Sequence, residues 1–124
     1  MSKRRALVAE DSGHILMSLA MLLEHSDVEI VGSAATVAAM RKLVETVAAD
    51  IAILDVNLNG ELVFPVADLL IERGIPVIFT TGYAPEKIFP PRFLGLPALQ
   101  KPYDPDEFLN LVEEALAQTG VAHS

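Results

Sequence analysis

The sequence has no cysteine, few basic residues and no long hydrophobic run, and each absence excludes a class of protein. Without cysteine the 124 residues can form no disulfide, thiolate metal site or thiol nucleophile. Nine lysines and arginines against 17 acidic residues give a net charge of −8, so we expect no direct contact with nucleic acid. The longest apolar stretches, such as residues 15–23, contain polar interruptions and fall short of the roughly 20 residues of a membrane span. We therefore expect a cytoplasmic protein that does not contact a membrane.

The sequence does contain a hydrophobic fraction of 52% with 21% charged residues, which is typical of a folded domain with a well-filled core. At this length we expect one domain over residues 1–120 and a C-terminal tail over residues 121–124. The starting Met1 and the short tail favour a complete protein, and excision from a larger kinase or regulator stays an alternative.

Five short apolar segments alternate with segments in which apolar residues recur at helical spacing. The expected strands are residues 5–9, 28–34, 51–54, 77–80 and 98–100. Thr36 and Asp104 are expected helix N-caps, and Gly74 is expected to end the third helix. Because the strands are apolar throughout, both faces of the sheet should be covered by helices. The pattern predicts an α/β, doubly wound, five-stranded parallel sheet in the order 2-1-3-4-5.

Prolines crowd the segment in which the fourth helix of such a fold is expected. Six of the eight prolines share this segment: Pro85, Pro90, Pro91, Pro97, Pro102 and Pro105. Proline lacks the amide donor and disfavours a helical residue before it, so we expect a short, interrupted fourth helix. The loop that carries the aromatic residues Tyr83, Phe89 and Phe93 is expected to be the activated surface that meets a protein partner. The default alternative is that the phenylalanines cover the fifth strand.

Polar residues follow the predicted strands at their carboxyl ends, where ligands bind in open α/β sheets. They are Glu10, Asp11, Asp55, Thr80, Thr81 and Lys101. Three carboxylates this close repel one another unless a cation lies among them, and an all-oxygen site suits Mg²⁺. Asp55 is then a candidate nucleophile for a phosphoryl group, and a hydroxyl and a lysine can bind the phosphoryl oxygens.

Taken together, Glu10-Asp11, Asp55, Thr81 and Lys101-Pro102 resemble the receiver domain of response regulators over essentially the whole chain. The resemblance implies a flavodoxin-like receiver fold in which Asp55 accepts a phosphoryl group from a histidine kinase or histidine phosphotransfer protein. It implies that Mg²⁺ is bound directly by Asp11 and Asp55, through water by Glu10, and by the backbone carbonyl of Asn57. Thr81 and Lys101 would bind the phosphoryl group, and the peptide bond before Pro102 would be cis.

The same resemblance implies a signalling protein that acts on a downstream protein target. It would catalyse its own phosphotransfer and slow dephosphorylation without being a metabolic enzyme. Residues 76–83, Pro-Val-Ile-Phe-Thr-Thr-Gly-Tyr, are similar to a subgroup of stand-alone alphaproteobacterial receivers named for a Phe-Ala-Thr-Gly motif, with Thr80 in place of the alanine. Ala98 stands where many receivers carry an aromatic switch residue, so that switch is not expected here.

Two other functions compete with this interpretation. A phosphohydrolase of the haloacid dehalogenase type requires a second aspartate two residues after the nucleophile, where this chain has Asn57, and a phosphatase screen would discriminate. A nucleotide-binding module requires a glycine-rich loop after the first strand, where this chain has acidic residues.

His14 is expected to face solvent in the first helix rather than bind metal, and His123 belongs to the tail. Tyr103 either modulates the site or packs on the last helix.

Overall fold

The computed structural model describes residues 3–122 of the chain, and the side chains of residues 3–117. His123 and the remainder of the expected tail beyond Ala122 lie outside the described residues. Within the described residues, no helix combines the length and the apolar character that a membrane span requires.

Within residues 3–122, five parallel strands form the main sheet, and five helices connect or flank them. The strands are β1 (Arg4–Ala9), β2 (Val28–Ala34), β3 (Ile51–Asp55), β4 (Val77–Thr81) and β5 (Ala98–Gln100). Their order in the sheet is β2-β1-β3-β4-β5, which confirms the doubly wound order predicted from the sequence. The helices are α1 (Gly13–Glu24), α2 (Val37–Thr46), α3 (Phe64–Glu72), α4 (Pro85–Ile88) and α5 (Pro105–Ala122).

The central strands are buried on both faces because successive side chains point to opposite sides of the sheet. Leu7, Leu54 and Phe79 belong to a core with α2 and α3. Their neighbours Val8 and Ile53 belong to a second core with α1 and α5. This double burial is the physical reason for the continuous apolar runs in the sequence.

Short polar signals set the ends of the helices, as the sequence predicts. The hydroxyl of Thr36 accepts a hydrogen bond from the Ala39 amide at 3.1 Å at the start of α2. The Asp104 carboxylate accepts one from the Asp106 amide at 2.9 Å at the start of α5. Gly74 follows α3 with φ +73°, a conformation that glycine adopts without strain.

The proline-rich segment contains only two short turns, the four-residue α4 and a 3₁₀ turn over Pro91–Phe93. This confirms the short, interrupted fourth helix. Two of the aromatic residues expected at the partner surface, Phe89 and Phe93, are buried in this structure. They pack on Phe64 and Phe79 with ring centroids 5.0 to 5.7 Å apart.

These four phenylalanines form an aromatic cluster, and the two rings are buried as the default interpretation expected, with Phe79 of β4 as their aromatic contact on the sheet rather than a residue of the fifth strand. A segment with few backbone hydrogen bonds of its own is held by burial of its apolar rings instead. Tyr83 is different, because 58% of its surface is exposed.

A small hairpin follows β3 and was not predicted. Asn57–Leu58 pairs antiparallel with Glu61–Leu62. The turn between them places Asn59 and Gly60 at φ +51° and +91°, and positive φ at both central residues is characteristic of Asn-Gly hairpin turns. Leu58 is fully buried, so the hairpin is anchored in the core beside the end of β3.

Candidate functional site

Three carboxylates meet at the carboxyl ends of β1 and β3, which are neighbours in the sheet. Asp55 is the last residue of β3, and Glu10 and Asp11 directly follow β1. Glu10 and Asp55 are buried and Asp11 is exposed. One oxygen from each of the three lies within 4.8 Å of the others. The chain thus brings together, in one group, acidic residues that lie far apart in sequence.

The ammonium of Lys101, just beyond the end of β5, lies against this carboxylate group. Its Nζ donates to Asp55 Oδ2 at 3.1 Å and lies 3.5 Å from Glu10 Oε2. Burial alone would lower the pKa of Lys101, but the hydrogen bond and charge of Asp55, together with Glu10, raise it overall. Lys101 therefore stays charged. The Lys101-Pro102 peptide bond is cis, as the resemblance to receivers implies.

The surroundings of Glu10 disfavour its charged form. Its burial, and after that the charge of Asp55, raise its pKa from an ordinary 4.5 to about 7. The attraction of Lys101 and a 3.2 Å hydrogen bond from the Ser12 amide oppose this rise without cancelling it. One ammonium therefore does not compensate three carboxylates at this strand end.

The donor set fits a hard divalent cation. All three side chains offer oxygen, and histidine and cysteine are absent from the group. Oxygen ligands of this kind suit Mg²⁺ rather than Zn²⁺ or copper. A bound cation would also relieve the repulsion that raises the pKa of Glu10. The acidic group can therefore hold a metal ion of the magnesium type.

Thr81 and Asn57, the other site residues expected from the sequence, are placed differently. Thr81 is the buried last residue of β4, and its hydroxyl accepts from the Tyr83 amide at 3.0 Å and donates to the Tyr83 carbonyl at 3.2 Å. Its carbonyl accepts from the Lys101 amide at 2.7 Å. The Asn57 amide donates to Asp55 Oδ1 at 3.3 Å. Asn57 therefore lies beside Asp55, whereas the Thr81 hydroxyl is turned toward the next loop.

Asn59 is a further residue at the site, and the sequence predicted only that it lies in a turn. The backbone amide of Asn59 donates to Asp11 Oδ2 at 2.9 Å. The signal in the sequence was the Asn59-Gly60 pair, which strongly favours a two-residue hairpin turn. Reading that pair as a hairpin would have brought its tip back toward the acidic residues.

Two further residues line a groove next to the site. His14 is exposed in the first turn of α1, as expected, and lines the groove together with Lys101 and Tyr103. The Tyr103 ring lies 5.7 Å from Phe108 of α5, and its burial raises the pKa of its hydroxyl. Tyr103 therefore packs on the last helix.

A scan of the sequence against protein-family models gives no match, and a search of curated proteins gives none. Solved structures do match. SdrG from Sphingomonas melonis Fr1 is 40% identical, with 94% of this chain and 99% of that chain covered and a TM-score of 0.80. This chain belongs to the receiver domains of response regulators. The family assignment made from the strand-end residues is thereby confirmed, including its similarity to stand-alone alphaproteobacterial receivers.

Two PhyR proteins also match this receiver domain. The receiver domain of Erythrobacter litoralis PhyR is 28% identical, with 94% of this chain and 92% of that chain covered and a TM-score of 0.81. PhyR from Bartonella quintana, described as an anti-anti-sigma factor, is 25% identical with a TM-score of 0.79. The match covers 99% of this chain and 51% of that one, so this chain spans about half the length of that PhyR. Receiver domains are signalling regulators rather than metabolic enzymes.

Proposed function

We propose that this receiver domain is the phospho-acceptor of a two-component phosphorelay, with Asp55 as the acceptor residue. The observation that carries the proposal is the position of the Asp55 carboxylate. It is buried at the end of β3, 3.1 Å from the Lys101 ammonium and within 4.8 Å of two further carboxylates. An aspartate in that position can act as a nucleophile while Lys101, together with a cation held by the carboxylates, neutralises an incoming phosphoryl group.

The chemical step follows from this arrangement. A carboxylate oxygen of Asp55 attacks the phosphorus of a phosphorylated histidine on the donor protein. An O–P bond forms as the P–N bond breaks, and the imidazole nitrogen leaves with the electron pair of that bond and takes up a proton. Lys101 binds one phosphoryl oxygen from its present position. Thr81 binds another after its hydroxyl leaves Tyr83.

The acidic group would hold the cation that the chemistry requires. Asp11, Asp55 and the backbone carbonyl of Asn57 are the proposed direct ligands of Mg²⁺, and Glu10 would act through water. When bound, Mg²⁺ neutralises charge on the phosphoryl group and on the carboxylates. The indirect role of Glu10 is assigned from the resemblance to receivers, and its two oxygens contact the Ser12 amide and the Lys101 ammonium.

The proposed donor is a histidine kinase or a histidine phosphotransfer protein, and the proposed output is contact with a target protein in the cytoplasm. A net charge of −8 supports a protein target over nucleic acid. The anti-anti-sigma description belongs to a PhyR chain about twice as long, so that activity is not carried over. The domain over residues 1–120 stays the proposed functional unit.

The test is incubation with phosphoramidate, with and without Mg²⁺, followed by intact-mass measurement. Wild type should gain one phosphoryl group only when Mg²⁺ is present, and Asp55→Asn should gain none. Asp68→Asn is the matched control, because Asp68 lies on α3 and pairs with Arg92. Phosphorylation of Asp55→Asn at the wild-type rate would refute the assignment of the acceptor.

A further inference from the structure

Asn59 joins three loops at the carboxyl end of the sheet. It lies in the loop after β3, and its backbone amide donates to Asp11 Oδ2, in the loop after β1, at 2.9 Å. Its side-chain Nδ2 donates to the carbonyl of Ala35, in the loop after β2, at 3.1 Å. Asp11 is exposed, and this is the contact that ties its carboxylate to the β3 loop.

The hairpin that carries Asn59 is itself well anchored. Leu58 is fully buried in the core, and the Val63 amide donates to the Val56 carbonyl at 2.8 Å across the base of the hairpin. At the tip, the Gly60 amide donates to the Asn57 side chain at 2.8 Å. The hairpin is therefore held in place at its base. The conformation of the turn then decides where the Asn59 N–H bond points.

That direction depends on the identity of residue 59. Its φ of +51° lies in the left-handed region, which asparagine and glycine tolerate better than other residues. The side chain adds the second anchor, on Ala35. Glycine at this position would retain the backbone conformation and lose the anchor, whereas alanine would disfavour the conformation and lose the anchor as well.

We propose that Asn59 is a positioning residue that holds the Asp11 carboxylate ready for the cation. The inference rests on the proposed function, in which Asp11 is a direct ligand. An exposed aspartate loses side-chain freedom when it binds an ion, and a restraint already present in the free protein removes part of that cost. Partners that orient metal ligands typically change metal affinity by about 10- to 100-fold when they are removed.

The test separates cation binding from the chemical step. Initial rates of phosphorylation by phosphoramidate are measured over a range of Mg²⁺ concentrations for wild type, Asn59→Ala, Asn59→Gly and the control Asn110→Ala, an exposed residue of α5. Asn59→Ala should raise the half-saturating Mg²⁺ concentration roughly 10-fold, with a smaller rise for Asn59→Gly. The rate at saturating Mg²⁺ should stay at the wild-type value in both, because neither variant alters Asp55 or Lys101.

A second readout needs no phosphorylation. In cation-free protein, hydrogen exchange at the Asn59 amide should be faster in Asp11→Ala than in wild type, because the amide loses its acceptor. The inference is overturned if that exchange is unchanged. It is also overturned if the half-saturating Mg²⁺ concentration of both Asn59 variants equals that of wild type, or if only their rate at saturating Mg²⁺ falls. A wild type that is phosphorylated without Mg²⁺ would instead overturn the proposed role of the cation, and this inference with it.

Discussion

The ammonium of Lys101, which follows β5 two strands away from β3 in the sheet, donates a hydrogen bond of 3.1 Å to the Asp55 carboxylate. The Lys101 ammonium is therefore already in place to contact a group that becomes attached to Asp55. The hydroxyl of Thr81, by contrast, is occupied by the backbone of Tyr83. Under the proposed function, Lys101 assists acceptance of the phosphoryl group and Thr81 takes part in the response to it.

We predict that Lys101→Ala and Thr81→Ala separate these two events. Lys101→Ala should slow phosphorylation by at least ~10-fold, because a preorganised cation is lost from the developing charge. Thr81→Ala should accept the phosphoryl group but fail to change conformation around residues 82–88. Mass measurement reports the first event, and NMR with beryllofluoride, a mimic of the phosphoryl group, reports the second. Lys42→Ala is the control for loss of one positive charge, and a full wild-type shift in Thr81→Ala would contradict the division.

The two acidic residues after β1 should contribute unequally to Mg²⁺ dependence. Asp11→Ala should raise the half-saturating Mg²⁺ concentration more than Glu10→Ala, by ~10-fold or more, because one Asp11 oxygen has no hydrogen-bond partner among the side chains and backbone that the structure describes. Both Glu10 oxygens already face protein donors, and its loss also relieves repulsion with Asp55. Equal effects of the two substitutions on phosphorylation would count against the assigned roles.

Stability without divalent cations should fall as the pH rises from about 4.5 to about 7. Glu10 has a raised pKa of about 7 in the folded protein, so over this range the folded state retains a proton that the unfolded state has lost. The unfolding free energy should therefore decrease by on the order of 2 kcal/mol relative to Glu10→Gln, which cannot titrate at this position. Urea unfolding of both proteins at pH 4.5, 6 and 7.5 measures the difference. A constant difference across these pH values would show that Glu10 does not titrate in this range.

The aromatic cluster should contribute strongly to stability. Phe93 is only 1% exposed and packs on Phe64 and Phe79, so Phe93→Ala should lower the unfolding free energy by about 3 to 5 kcal/mol. Its neighbour Leu94 is 48% exposed, and Leu94→Ala should cost less than about 1 kcal/mol. Chemical unfolding of both variants tests the contrast, and similar losses would mean that the cluster does not hold the segment.

The sequence predicts the sheet well because its strands are buried on both faces. A strand with two covered faces is apolar at every position, and the bounds 28–34 and 98–100 expected for the second and fifth strands agree with the structure. The carboxyl ends of parallel strands then lie at one edge, so Glu10, Asp11 and Asp55 could be placed together without any knowledge of distances. The N-caps at Thr36 and Asp104 follow from equally local chemistry.

Features that depend on irregular backbone were harder to predict. Phe89 and Phe93 lie among prolines, where no helical or strand periodicity indicates which side chains point inward. Their burial depends on Phe64 and Phe79, which are distant in sequence. The hydrogen bond between Asn59 and Asp11 likewise depends on the direction of a two-residue turn, and the two-residue strands that flank it are too short to show a pattern.

Because α4 is only four residues long, the segment between β4 and β5 offers a partner protein a different surface from that of a regular helix. A regular amphipathic helix between β4 and β5 would offer a partner rows of side chains at three- and four-residue spacing. Here α4 and the 3₁₀ turn offer seven residues in two separate pieces, and the rings of Phe89 and Phe93 are buried. A protein that recognises its receiver by packing along a continuous helix at this position finds no equivalent contact. We therefore expect the prolines to disfavour partners that recognise receivers through a full-length helix at this position and to favour partners that fit an irregular surface.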